Sequence, residues 1–417
     1  MLPPPLRNRD FRLFLTGGFL SSTGTQMTIV AMAWHTYQLT DSPLAVGLLG
    51  LGRAVPQIVL ALLGGLLADT LDRRRLLIAL QLGSCGISTS LAVLTFVGII
   101  SPPTLLGAAV LIAFATALET PGRQAAVPNL VAAEHLGAAI ALNTFQRSLA
   151  MIVGPALAGV ALALSGPAVC YAVDAASWLA MLVALVLIQR PLQTSLARAS
   201  LGAILDGARF VRTQHVILAF MILDFGATFF GSSTALLPIY ARDILRVGPQ
   251  GLGLLYAASS IGAIAAAAVL SSVARVDRTG RWVLLGVLVY AVCTIGFALA
   301  PELWLAALML VGSGAGNMVS AVLRGTTNQR LTPDLLRGRV AAVNSVFVMG
   351  GPQLGQFESG VVADIGGAQL SAVTGGLGAL ILVGAISLLP EIRSFSLSGQ
   401  AHVQSDERVR QQASAPL

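Results

Sequence analysis

A charged loop interrupts the apolar sequence at residues 64–75, which read GGLLADTLDRRR. Within it Gly65 precedes the acid Asp69 by four positions, and a run of three arginines begins at Arg73. The residues on either side are mainly apolar over lengths that suffice to cross a bilayer, which takes about 20 residues of helix. The pattern predicts two membrane helices joined by a short polar turn.

The composition extends this prediction to the whole chain of 417 residues. Hydrophobic residues make up 55% of it and charged residues only 10%, whereas a soluble domain carries about 25% charged residues. A soluble globule of this size could not cover its surface with so little charge. We therefore exclude a disordered chain, a nucleic-acid-binding protein and a soluble enzyme. We predict an all-α protein that crosses the lipid bilayer many times.

Twelve apolar runs are long enough to be membrane-spanning helices. Short polar breaks, or breaks marked by proline and glycine, separate them. We expect the spans at 12–38, 44–68, 76–99, 103–126, 138–164, 168–189, 216–240, 249–274, 282–300, 302–325, 339–363 and 368–390.

The arginines are unevenly divided between the two sets of loops. The net charge is +7, and the loops on one side hold nearly all the loop arginines, whereas the other side holds Arg242 and Arg246. Basic loops stay in the cytoplasm during insertion, so we expect both termini to be cytoplasmic. The break at 190–215 is then a cytoplasmic linker with an amphipathic helix at the membrane surface. We expect residues 391–417 to form a disordered tail.

An internal repeat divides the chain into two parts. Several identical residues recur 201 positions apart, an offset that corresponds to six helices. The matching pairs are Arg123 and Arg324, Leu130 and Leu331, Gly137 and Gly338, Asn143 and Asn344, Gly154 and Gly355, and Gly159 and Gly360. Because six is an even number, the two halves have the same orientation in the membrane, which is a transporter architecture. We expect the halves to cover residues 1–189 and 216–390.

The loop at 64–75 resembles the signature of the major facilitator superfamily, in which a glycine, an aspartate four residues later and a basic cluster follow in order. The matching residues are Gly65, Leu67, Asp69, Arg73 and Arg74. Thr70 and Asp72 stand where the family has a basic residue and a glycine. A degraded copy follows at 277–281, with Asp277 and Arg281.

The resemblance implies a gating role for this loop. Asp69 would pair with arginines or cap a neighbouring helix, and so hold one conformation closed to the cytoplasm. The alternative is a solvated charged loop that only fixes the topology.

Two helices carry glycine and proline in the pattern of exporters of the same superfamily. These residues are Gly154, Pro155 and Gly159 in the fifth span, and Pro352 and Gly355 in the eleventh. Proline kinks a helix and glycine allows close crossing of helices. The alternative is that the pattern marks only a structural kink with no role in export. Together with VPNLV at 127–131, these residues resemble the drug and siderophore exporter branch, which includes enterobactin-exporter-like and macrolide-efflux-like proteins.

Ionisable residues inside the spans are candidates for coupling and substrate binding, because charges in lipid are costly. The candidates are Arg53, Glu119, Arg123, Asp174, Asp224 and Glu358. In the fold that the resemblance implies, helices one, four, seven and ten line the cavity, with Glu119 and Asp224 on opposite halves. A carboxylate there could exchange a proton. Alternatively, Glu119 forms a salt bridge with Arg123 one turn away. Arg53 could anchor an anionic substrate or neutralise one of the acids.

These observations predict a monomeric transporter of the bacterial cytoplasmic membrane that exports a small amphipathic drug or siderophore in exchange for protons. An importer or facilitator of a metabolite or lipid is the alternative, and a membrane sensor or membrane enzyme the alternative of another class. The chain contains no lysine, so it has no nucleotide-binding loop of the GxxxxGK[ST] kind. We expect no cofactor, no metal and no nucleic-acid partner.

Overall fold

A computed structural model describes residues 3–68, 72–190, 201–273 and 277–396. These ranges are helical and contain no strand, which confirms the all-α class. The first six helices are α1 (Arg9–Thr40), α2 (Pro43–Ala68), α3 (Arg73–Val97), α4 (Pro102–Leu130), α5 (Leu136–Ser165) and α6 (Pro167–Leu187). The others are α7 (Leu201–Thr213), α8 (His215–Phe230), α9 (Leu237–Ile239), α10 (Gly248–Ser272), α11 (Thr279–Ala298), α12 (Leu303–Leu331), α13 (Arg337–Gly366), α14 (Ala368–Ser387) and α15 (Pro390–Arg393).

Ten segments of the described chain are long and apolar enough to cross a membrane. Helices α1 and α13 are not among them, although they contain 32 and 30 residues. Both carry polar side chains along their length, and in α1 several of these, such as Thr28 and His35, are buried against other helices. A helix packed inside a bundle needs less apolar surface than one that faces lipid. The count of twelve spans therefore stays a prediction for these two helices.

The seventh predicted span is not one regular helix. Helix α8 ends at Phe230, and the chain continues through a 3₁₀ turn (Thr234–Leu236), α9 and a π-helical turn (Tyr240–Ile244). Glycine and two serines follow Phe230 and favour the break. The hydroxyl of Ser232 donates a hydrogen bond to the Pro352 carbonyl of α13 at 3.2 Å, which joins the break to the neighbouring helix.

Polar side chains fix where two of the helices begin. The Asn8 side chain accepts hydrogen bonds from the backbone N–H of Asp10 and Phe11, at 2.9 and 3.3 Å. Asp72 caps α3 by accepting from the N–H of Arg75 at 2.9 Å. Such caps satisfy N–H groups that the first helical turn leaves free. Asp72, which departs from the superfamily signature, therefore has a local structural role.

The bundle has two ends, which we name by their loops. The Asp41 end contains the α1–α2 connection at Asp41, and the opposite, terminal end contains the start of α1 and the end of α14. At the Asp41 end, buried side chains from α1–α6 and from the segment between Ala235 and α14 form one shared apolar core, which includes Tyr37, Leu49, Leu236 and Leu255. At the terminal end the cores are separate. The two helix sets therefore meet at one end and part at the other.

Two glycine crossings join the helix sets at the Asp41 end. A Cβ atom added to Gly253 of α10 would lie 2.9 Å from the Cα of Gly159 in α5, and one added to Gly360 of α13 would lie 2.8 Å from the Cα of Gly47 in α2. Real Cβ atoms do not approach so closely, so only glycine permits these crossings. Because Gly159 and Gly360 are a repeat pair, the two crossings are equivalent positions of the repeat.

Helix α7 lies in the linker predicted at 190–215 and packs on α13. The backbone of α13 at Arg339 lies against Gly207, where an added Cβ would be 2.7 Å from the Arg339 carbonyl. Arg339 also donates to Asp206 at 2.9 Å, and Val211 shares a small core with Val340. The linker helix is therefore part of the second helix set. Its position on the membrane surface stays a prediction, and the domain boundaries do too.

Candidate functional site

A cavity of about 180 Å³ lies within the first helix set. Its wall includes Ser21 and Thr25 of α1, Glu119 and Arg123 of α4, Arg147 of α5 and Trp178 of α6. Hydroxyl groups, charges and one large aromatic ring thus face the same space, as in a site for a polar organic molecule. The sequence assigned the lining to the first, fourth, seventh and tenth helices. The structure adds α5 and α6 in this cavity.

Glu119 and Arg123 form an ion pair in the cavity wall. The distance from Arg123 Nη1 to Glu119 Oε1 is 3.0 Å, and the side chains are 15% and 4% exposed. Gln81 of α3 donates to the same carboxylate oxygen at 2.8 Å. Ser21 of α1 accepts from Arg123 at 3.4 Å. The salt bridge that the sequence left as an alternative for Glu119 is present, and it connects three helices.

Asp224 and Arg324 form the corresponding pair in the second helix set. Both residues are buried, and the carboxylate of α8 accepts a hydrogen bond from the guanidinium of α12. Arg324 also donates to the hydroxyl of Ser320 at 2.6 Å. Arg324 is the repeat counterpart of Arg123, and Ser320 stands 201 positions after Glu119. Both halves keep the arginine, but the acid comes from its own helix in one half and from a different helix in the other.

A second cavity of about 180 Å³ lies in the second helix set. Its wall contains hydroxyl groups and one amide, among them those of Thr228, Ser259, Tyr290 and Asn317, and it contains no charged side chain. The Tyr290 hydroxyl donates to the Gly231 carbonyl at 2.7 Å, where α8 ends. The two cavities therefore differ in charge.

Arg53 of α2 is partly buried between the two helix sets. Its Nη2 atom donates to the Gln356 side chain of α13 at 2.8 Å, and its Nε atom donates to the Leu49 carbonyl at 3.2 Å. Among the described residues no carboxylate forms an ion pair with Arg53, so it does not neutralise one of the predicted acids. It also lines a small cavity together with Thr28.

Asp174 of α6 is 1% exposed. Its carboxylate accepts hydrogen bonds from Thr28 of α1 at 2.9 Å and from Ser88 of α3 at 2.7 Å. No basic side chain in the described part of the chain forms an ion pair with it. Glu358 of α13 is only partly buried, and the nearest hydroxyl, that of Ser359, lies 3.5 Å from its carboxylate.

The predicted gating loop is described only in part. Asp69 lies outside the described residues, and Gly65 and Arg73 belong to α2 and α3 in stretches whose side chains are not described. Arg74 donates to the Val186 carbonyl of α6 at 2.9 Å. In the second copy, Asp277 begins the last described segment and Arg281 is exposed on α11. The gating role stays a prediction.

The predicted glycine and proline positions lie at helix contacts. A Cβ on Gly154 would meet the Thr23 carbonyl of α1 at 2.8 Å, and one on Gly355 would meet Phe229 Cα of α8 at 2.8 Å. The Pro155 carbonyl lies at the Gly253 crossing. Helices α5 and α13 continue through Pro155 and Pro352.

Sequence reasoning missed a polar cluster at the Asp41 end. Arg242, within the π-helical turn, pairs with Asp41 at 2.6 Å, and its guanidinium carbon lies 5.1 Å from the centre of the Tyr37 ring. The Tyr37 hydroxyl donates to Asp243. The signal was available, because Arg242 is one of only two arginines in the loops of that side. Arg147 and the Asp224–Arg324 pair were missed as well.

Residues 3–414 match the family of transmembrane secretion effectors. The chain belongs to this family. It is a multi-pass transporter of the major facilitator superfamily, as the loop at 64–75 predicted.

Characterised relatives support the exporter branch. The chain is 28% identical over 396 residues to the enterobactin exporter EntS of Shigella boydii serotype 18, which covers 92% of this chain and 93% of the relative. It is 27% identical over 407 residues to EntS of Escherichia coli strain SMS-3-5, covering 95% of each.

Solved structures share the fold. A bacterial homologue of the human lysosomal transporter Spinster, in an inward-facing and unoccupied conformation, has a TM-score of 0.73 at 14% identity and covers 94% of this chain and 98% of its own. A POT family transporter in complex with 5-aminolevulinic acid has a TM-score of 0.76 at 11% identity and covers 92% and 97%. At these identities the likeness concerns the fold alone.

Proposed function

We propose that this protein exports a small amphipathic siderophore-like or drug-like molecule across the bacterial cytoplasmic membrane. The observation that carries the proposal is the likeness to enterobactin exporters over more than nine-tenths of the chain. The cavity of the first helix set is consistent with it, because apolar surface and a few convergent polar side chains line it, as in sites for small organic molecules.

Transport proceeds by alternating access. The two helix sets share one apolar core at the Asp41 end and have separate cores at the terminal end. With the arginine-rich loops in the cytoplasm, the Asp41 end faces outward, and the conformation is closed to the outside. Export then requires the glycine crossings and the Asp41–Arg242 pair to separate while the terminal end closes.

Inward proton flow drives the export, and Asp174 is the acid that binds and releases the proton. Glu119 and Asp224 each have an arginine partner, which stabilises their charged forms. Asp174 has only hydroxyl partners in a buried site. A buried carboxylate without a counter-ion is costly and gains most from binding a proton. Thr28 joins it to the small cavity beside Arg53.

Transport in everted membrane vesicles tests this function. Labelled enterobactin, the cargo named for the relatives, should accumulate inside vesicles that contain the protein and should stop accumulating when a protonophore collapses the proton gradient. Flux that is insensitive to the protonophore would contradict the antiport. Net uptake into the everted vesicles, measured with and without an imposed proton gradient, separates export from the importer or facilitator alternative, because a facilitator gives no accumulation against a gradient.

A further inference from the structure

The cavity of the first helix set has more positive charge than negative. We propose that it binds an anionic group of the cargo, a carboxylate or a phenolate, through the guanidinium groups of Arg123 and Arg147. This inference rests on the proposed export function, and it assigns the chemical class of the cargo and the side of the cavity that recognises it.

The charges in the cavity wall do not balance. Arg123 and Arg147 both line it, and Glu119 is the one acid among the lining residues. Glu119 is already occupied by Arg123 and by the Gln81 amide, at 3.0 and 2.8 Å. Arg147 has no hydrogen-bond or ion-pair partner among the residues that the structure describes. A guanidinium that faces a cavity without a partner is a ready donor to an anion.

The neighbouring donors also lack acceptors. Gln146, which precedes Arg147, is 5% exposed, and its side-chain amide makes no hydrogen bond. Nη2 of Arg123 is likewise without a partner. Gln146 and Arg123 both approach Gly18 of α1, where an added Cβ would lie 3.5 Å from Cζ of Arg123 and 3.6 Å from the Gln146 amide nitrogen. Hydrogen-bond donors without acceptors therefore lie directly beside the cavity wall, and buried polar groups without partners are costly.

The repeat shows that the helical scaffold does not require these polar residues. The repeat offset of 201 pairs Gln146 with Phe347 and Arg147 with Val348, within the aligned stretch from Asn143 to Gly154. In the second helix set these positions are apolar, and the Phe347 ring packs edge-to-face on Phe225 with centroids 6.1 Å apart. Helix α13 carries apolar residues at these two positions, whereas α5 carries a glutamine and an arginine. Gln146 and Arg147 consequently have a role specific to the first helix set.

The hydroxyl groups of the wall restrict the class of ligand. Ser21 and Thr25 beside two guanidinium groups suit a small hydroxylated acid, whose anionic group meets the arginines while its hydroxyl forms hydrogen bonds with the wall. An anion that leaves the cytoplasm also moves in the direction favoured by the inside-negative membrane potential. Proton binding at Asp174 takes place in a separate site, so it does not compete directly for Arg147.

Binding to the purified full-length protein in lipid nanodiscs tests the inference. The probes are salicylate and its neutral amide, salicylamide, which have nearly the same shape. Wild-type protein should bind salicylate about tenfold more tightly than salicylamide, as expected for one added charge-assisted contact. Arg147→Gln should remove this preference by weakening salicylate binding alone, and Arg147→Lys should retain part of it.

Arg212→Gln, which removes an exposed arginine of α7 outside the cavity, should bind both probes as the wild type does. Equal binding of the two probes by the wild type, no salicylate binding, or an unchanged preference in Arg147→Gln would overturn the inference. Failure of the vesicle assay with intact salicylate binding would instead contradict the export function, so the two failures are distinguishable.

Discussion

The guanidinium of Arg324 in α12 is buried against the carboxylate of Asp224 in α8, one hundred positions earlier in the chain. This pair joins two helices of the second set, whereas its repeat counterpart Arg123 takes its acid from its own helix. The difference gives the two pairs different mechanical roles. The Arg324–Asp224 pair crosses a helix interface, whereas the Arg123–Glu119 pair stabilises a cavity wall.

Loss of Asp224 should destabilise the protein strongly. Asp224→Asn leaves the buried Arg324 guanidinium without its counter-charge, which costs about 3–5 kcal/mol when a buried pair is broken. Thermal unfolding in detergent should show a clear decrease in the melting temperature. The matched control is Asp206→Asn, whose pair with Arg339 is roughly half exposed and should contribute below about 1 kcal/mol. Equal stability of the two variants would contradict the role assigned to the buried pair.

Asp174→Asn should uncouple transport from protons. The amide has nearly the same size, and its oxygen can still accept from Thr28 and Ser88, but it no longer binds a proton. In everted vesicles, addition of cargo should cause proton release in the wild type and none in Asp174→Asn, while counterflow of cargo persists. Glu119→Gln and Glu358→Gln are the comparison variants and should keep proton release. Normal coupling in Asp174→Asn would move the assignment to one of them.

Replacing Gly253 with a larger residue should separate the two helix sets at the Asp41 end. An added Cβ would lie 2.6 Å from the Pro155 carbonyl and 2.9 Å from Gly159 Cα, both backbone atoms that cannot turn aside. Gly253→Val should increase the distance between spin labels at Ser42 and Asp364, whose side chains are 3.0 Å apart across the helix sets. Labelling requires replacement of Cys85, Cys170 and Cys293. Gly137→Val has open space around its Cβ and should leave the distance unchanged.

Removal of the Arg242 charge should have a smaller effect in the same direction. Arg242→Gln loses the pair with Asp41 and the contact with the Tyr37 ring. Because these side chains are partly exposed, the change should be about 1 kcal/mol or less, a shift of about fivefold in the population of the open form. The same spin-label pair measures it, and added salt should reduce the difference from the wild type. Arg246→Gln, a nearby exposed arginine, is the control.

The sequence was sufficient to predict the helical class, the superfamily and the Glu119–Arg123 pair, because these depend on local composition and spacing. It did not predict the partner of Asp224. The repeat aligned Arg123 with Arg324, but position 320 is a serine, so the acid had to come from another helix. Only the packing of α8 on α12 identifies that acid.

The break after Phe230 and the exposure of Arg147 to the cavity were missed for a related reason. The residues from 216 to 240 are apolar enough for one span, and hydropathy does not register a local change from α to 3₁₀ and π geometry. Arg147 lies nine residues inside the predicted span at 138–164, and its position in the sequence does not tell whether it faces lipid, another helix or a cavity. Its direction depends on the rotation of α5 in the bundle, which sequence spacing alone does not fix.

The position of the glycine crossings also determines how far the helix ends move for a given tilt angle. Helix α5 extends about 35 Å from the Gly159 crossing to its start at Leu136, at 1.5 Å per residue. If α5 tilts about this crossing, a rotation of only about 10° would displace its start at Leu136 by about 6 Å. A tilt of that size moves each helix little where glycines touch, yet it is wide enough at the other end to admit or exclude a flat aromatic ring.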